Sequence, residues 1–134
     1  MSFDVELICL KNGEPDTFPA QIVRDAFERF IKSREEDVWI LAFPDGGGGE
    51  MVAEDEEAGE TNGVSIGSPS GDNIYDALYE VLRQTNSVMT WSFGGCAVAN
   101  ASVIADLPKE LIEENGKPII VGSGWEILAA IEAY

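Results

Sequence analysis

The stretch Val38–Ile66, VWILAFPDGGGGEMVAEDEEAGETNGVSI, decides the fold. Val38-Trp-Ile-Leu-Ala-Phe43 is a short apolar run with β-branched and aromatic bias, closed by Pro44-Asp45-Gly46. It reads as a central strand, since burial on both faces produces such runs. Gly46 to Gly49 read as a flexible hairpin connection to Met51 and Val52. Asn62-Gly63 is the strongest turn dipeptide, because both central positions of a type I′ turn take positive φ. Beyond it Val64 and Ile66 alternate with Ser65 and Gly67, the pattern of another strand.

Working outward, Phe3, Val5, Leu7 and Cys9 alternate with Asp4, Glu6 and Ile8, a first strand followed by the turn Lys11-Asn-Gly-Glu-Pro-Asp. Thr17 is placed to cap a helix with Pro19 in its first turn, and Ile22, Val23, Ala26, Phe27 and Phe30 form its apolar stripe. Lys32 and Arg34 would lie at its negative pole. Asp72 is placed to cap a second helix with Ile74, Leu78, Val81 and Leu82 inward and Tyr75 on the flank. Val88, Thr90 and Ser92 alternate with Met89, Trp91 and Phe93 in a strand that Gly94-Gly95 turns into Cys96-Ala-Val-Ala. Pro108 opens a short helix over 109–114 that Asn115-Gly116 closes. Ile119-Ile120-Val121 is a small buried strand, and Ser123 with Glu126 form the capping box of a last helix carrying Ile127, Leu128 and Ile131. Hairpins interrupt any β-α alternation. The expectation is one α+β domain over 1–134, a mixed or mostly antiparallel sheet packed with three to four helices.

The 134 residues include 8 Lys+Arg against 25 Asp+Glu, a net charge of −17, and no histidine. Such a balance speaks against nucleic acid, which needs a basic footprint, and against an anionic membrane surface. Without histidine there is no Ser-His-Asp or Cys-His pair and no histidine metal site. No positively charged start followed by an apolar run is visible, nor a stretch of membrane-spanning length, so the expected location is cytoplasmic. Cys9 and Cys96, 87 positions apart in apolar contexts, read as buried free thiols.

Charge is the informative feature. No Lys or Arg stands between Arg34 and Arg83, while residues 35 to 82 carry thirteen acids, densest at Glu50, Glu54, Asp55, Glu56, Glu57 and Glu60. One reading is a solvated acidic face that keeps the protein soluble. The other is a surface that steers and holds a basic protein partner, with Trp91 or Trp125 as an exposed aromatic anchor, core or partial burial being the ordinary alternative for either. The spacing matches no calcium loop, and the glycine run leads into acids that would repel a phosphate, so neither a metal nor another cofactor is expected. No base flanks Cys96 to activate its thiol, and no catalytic residue stands out.

Ser2-Phe-Asp-Val, the Asn12-Gly-Glu turn, the helix with Phe27, Ile104-Ala-Asp-Leu-Pro and Val121-Gly-Ser-Gly-Trp-Glu-Ile together resemble a group of small bacterial proteins with no assigned activity. The resemblance implies a bacterial cytoplasmic origin. The functional expectation is a non-catalytic acidic protein-binding domain, in its sharpest form a bacterial immunity-type inhibitor of a basic toxin. The alternatives are a ligand-binding or enzymatic domain using cleft carboxylates, or a subunit of a homo-oligomer packed through Trp125 or Tyr134.

Overall fold

β1 (Asp4–Lys11) buries Val5, Leu7 and Cys9 on one face and pairs with a strand on each side, in the middle of the sheet. The computed structural model describes residues 3–133; Ser2 and Tyr134, used in the sequence reading, lie outside the described residues. The chain continues through β2 (Glu14–Pro15), β3 (Phe18–Pro19), α1 (Ala20–Phe27), β4 (Ile31–Glu35), β5 (Val38–Ala42), β6 (Gly48–Ala53), β7 (Glu60–Thr61) and β8 (Gly63–Ser70). It ends with α2 (Asn73–Gln84), β9 (Ser87–Trp91), β10 (Cys96–Val98), α3 (Lys109–Asn115), β11 (Ile119–Ile120) and α4 (Gly124–Glu132). The order across the sheet is β11-β10-β9-β1-β8-β6-β5-β4, with β2 on β1 and a separate β3–β7 pair. Among the described residues every pairing is antiparallel except β10 with β11. The architecture is α+β with a mostly antiparallel sheet, as the hairpins in the sequence imply.

Two apolar layers flank the sheet. On one face Val5, Leu7, Met51, Ile66 and Met89 meet Val23 and Phe27 of α1, Leu78 and Leu82 of α2 and Ile127 of α4. On the other face a smaller cluster of Leu10, Val88, Cys96 and Val98 packs against Val103, Leu107 and the half-buried Leu111 and Ile112. This second layer comes from α3 and a 3₁₀ segment over Ala101–Asp106, and it does not reach β4, β5, β6 or β8.

Several local expectations are corrected. β5 is not central but next to the edge strand β4, and along it only Trp39 and Leu41 are buried. The type I′ turn sits at Asn12-Gly13, φ 52° and 79°, between the paired Lys11 and Glu14. At Asn62 the side-chain amide donates to the Cys9 and Asp16 carbonyls, and the chain bends directly from β7 into β8. Thr17 caps nothing: β3 pairs with β7 immediately before α1, and the helix starts after Pro19 without a side-chain cap. Lys32 and Arg34 stand in strand β4, because α1 ends at Phe27 and a 3₁₀ turn carries Phe30 onto Phe43, ring centroids 4.4 Å apart. β11 is an edge strand, and Ile120 is 54% exposed rather than buried.

The α2 cap also comes from elsewhere. Asp72 makes no side-chain cap bond; Asp45, at the tip of the β5–β6 hairpin, accepts from the N–H groups of Gly47 (2.9 Å), Asp72 (2.8 Å) and Asn73 (2.9 Å). The bonds from Asn73, Gly47 and Asp72 hold its carboxyl below the usual carboxylate range. Because folding lowers this pKa, the stabilisation is complete above about pH 4–5 and is lost as pH falls through the folded value. Asp45→Asn is expected to lower the urea midpoint at neutral pH, with the gap to wild type closing on acidification. A gap that stays constant with pH would contradict the charged cap.

The capping box at α4 forms in part. Ser123 Oγ accepts from the Glu126 N–H at 3.1 Å, while the Glu126 carboxylate accepts from Gly122 N–H at 3.3 Å. Cys9 and Cys96 are free and buried, and burial pushes both thiols up. Around Cys9 the nearby Asp16 charge adds to this.

Candidate functional site

The acid run folds as a strand end followed by a tight turn. β6 delivers Glu54 and Asp55, Asp55 takes a left-handed φ of 53°, and a 3₁₀ turn over Glu56–Ala58 closes before Gly59. Across β5 the two-residue turn Glu36-Asp37 joins Glu35 to its partner Val38. Pairing of β4, β5 and β6 brings these two acidic turns to the same end of the sheet. There Glu36, Asp37, Glu54, Asp55 and Glu57, together with Arg34, line an open concavity of about 560 Å³ walled by Trp39.

Glu56 plays a different part from its neighbours. Arg24, on α1, donates to Glu56 Oε2 from Nε at 2.8 Å and Nη2 at 2.6 Å, and from Nη2 to the Glu56 carbonyl at 2.8 Å. Arg34 reaches Glu56 Oε1 at 4.0 Å and lies over the Trp39 ring, 4.7 Å from its centroid. The Glu56 side chain is only 12% exposed, so it anchors the acidic turn to α1 and β4 instead of facing solvent. By contrast, Glu36, Asp37, Glu54, Asp55 and Glu57 are exposed and make no ion pair among the described residues.

The other sequence-selected residues scatter. Glu50 is exposed in the middle of β6, opposite Ile40, and Glu60 is exposed in β7 opposite Pro19. Trp91 is corrected from anchor to core: it is 5% exposed in β9, with Gly95 folded against its indole. Any side chain at position 95 would overlap that ring, and φ there is 143°. Trp125 is 72% exposed in the first turn of α4, but it does not line the acidic concavity. Sequence reading missed Trp39 as the wall of the site and Arg24 as the clamp on Glu56. Neither leaves a local signal, because both meetings depend on long-range packing.

A second open cleft, about 510 Å³, runs between α1 and α2, with Asp25, Asp76, Glu80, Arg29 and Phe30 on its walls. Its acids are partly engaged: Asp25 accepts from Gln21 at 2.7 Å and Glu80 pairs with Arg83 at 2.7 Å. Among the described residues no group of three His, Cys, Asp or Glu could hold a metal ion, and no helix is long and apolar enough to cross a membrane. No family model, curated protein or solved structure matches the chain.

Proposed function

We propose that this is a protein-binding domain whose acidic end, built from the turns at 36–37 and 54–57, receives a basic surface of another protein. The observation that carries this is the convergence of five exposed carboxylates without ion pairs around one concavity. Like charges gathered at one end of a molecule raise the energy of the folded state, and an opposing surface relieves that repulsion. The Arg24–Glu56 clamp supports the reading, since it fixes the turn before a partner arrives and so lowers the entropy lost on binding. The sharper form is inhibition of a basic toxin in the manner of a bacterial immunity protein, the acids covering a cationic active site.

The test is capture from a bacterial lysate on immobilised wild-type protein and on the triple variant Glu54→Lys, Asp55→Lys, Glu57→Lys. Basic proteins retained by wild type at about 0.1 M salt should be absent from the variant and should elute near 1 M, where the Debye length is about 3 Å. Equal retention by both baits would remove the acidic turn from the interface. A second reading rests on the α1–α2 cleft, whose acids and Phe30 wall suit a small organic cation. Chemical-shift changes at Asp25 and Asp76 on titration with a diamine would favour it.

A further inference from the structure

Beyond the acidic end, the described residues leave a broad part of one sheet face uncovered. Strand register defines two rows on it. One passes Ser33, Ile40, Glu50, Gly67 and Asp4 through successive pairings of β4, β5, β6, β8 and β1. The other holds the pairs Glu35–Val38, Val52–Ser65 and Ser65–Glu6, then Glu6–Thr90. The opposite face of the same strands is filled by α1, α2 and α4. On this face the second layer stops at β9, β10 and the Leu10 end of β1.

An antiparallel sheet can show one face to water, and that face is then normally polar. Here Val38, Ile40 and Val52 are half-buried aliphatics on adjoining strands, bordered by exposed Asp4, Glu6, Glu35 and Glu50. No Lys or Arg occupies any of these register positions. The patch is continuous with the acidic end, for a shallow depression between β1 and β8 is lined by Glu6, Ser65 and Glu54. Five strands span about 19 Å, roughly the length of thirteen helical residues.

We infer that this face docks a basic amphipathic helix of the partner, an aliphatic stripe on Val38, Ile40 and Val52 with Lys or Arg on both sides against the four acids. The inference rests on the proposed binding of a basic protein and names the element recognised. Charge complementarity selects a cationic occupant. The unfinished layer beside α3 selects a helix, since the part of this face already covered is covered by helical segments, α3 and the 3₁₀ turn, and a further helix continues that layer.

The experiment titrates the isotope-labelled protein with a synthetic lysine-rich peptide of about four helical turns bearing a leucine stripe. A peptide of the same composition in scrambled order is the control. The amphipathic peptide is expected to bind at least about tenfold more tightly than the scrambled one. Its shift changes should fall on Ile40, Glu50, Val52, Ser65 and Glu6, and Glu6→Gln with Glu50→Gln should weaken it by a similar factor. Equal affinities with shifts at 36–37 and 54–57 would overturn the helix-docking face while leaving the acidic end intact. Shifts on this face that grow with protein concentration alone would overturn it in favour of a second copy. No binding of either peptide at low salt would overturn both the inference and the reading it rests on.

Discussion

Phe27→Ala is expected to lower the free energy of unfolding by about 3–5 kcal/mol. Phe27 is 0% exposed and ends an eight-residue helix. A helix that short is not stable alone in water, so α1 exists because Ala20, Val23, Ala26 and Phe27 pack into the main core. Removing the ring takes away its transfer free energy and leaves a cavity that the sheet beneath cannot close. Trp125→Ala provides the contrast. It deletes a larger side chain, yet one that is 72% exposed, and should change stability by no more than about 0.5 kcal/mol. Urea unfolding of the two variants checks both values. Comparable losses would mean that Trp125 is packed and the core is elsewhere.

The second large effect separates the structural acid of the run from the exposed ones assigned to the proposed binding surface. Glu56→Lys should destabilise by roughly 2–3 kcal/mol, because it puts a cation against Arg24 and Arg34 where a carboxylate received charge-assisted hydrogen bonds. The site is partly solvated, with Arg24 29% exposed, which keeps the loss below that of a fully buried pair. Glu54→Lys and Glu57→Lys, exposed and without ion pairs, should stay within about 0.5 kcal/mol of wild type. Thermal unfolding of the three single variants decides it. If Glu57→Lys fell as far as Glu56→Lys, the division between clamp and recognition surface would be wrong.

Much of the fold was legible where a segment's own pattern matched its final burial. β1, α2, α3 and α4 follow their alternation and apolar stripes closely, and Gly116 closes α3 at φ 83° as its sequence implies. Reading failed where a distant residue decided the local outcome. Asp45, not Asp72, caps α2, and the amide of Asn62 serves the Cys9 and Asp16 carbonyls instead of a tight turn. The residues after Phe27 continue a helical stripe on paper, but pairing with β5 draws Ile31–Glu35 into a strand.

The candidate site was half legible. Charge density marked residues 50–60, yet it could not show that Glu56 is consumed by Arg24 or that Glu36 and Asp37 join Glu54 and Asp55 around Trp39. It equally could not separate Trp91, on the buried face of β9, from the exposed Trp125. Both tryptophans lie in segments of mixed polarity: the register of β1 with β9 sets Trp91 opposite Val5, while Trp125 falls outside the buried positions of α4.

The central claim is that the acidic end recruits a basic protein through charge. The most direct measurement is the association rate of a captured partner with wild type and with the Glu54→Lys, Asp55→Lys, Glu57→Lys variant over a salt series. The wild-type rate is expected to fall by about tenfold or more between roughly 0.05 M and 0.5 M salt, with the variant slow and nearly flat throughout. Equal rates for the two proteins at every salt concentration would contradict it and leave the acids as a solvated surface.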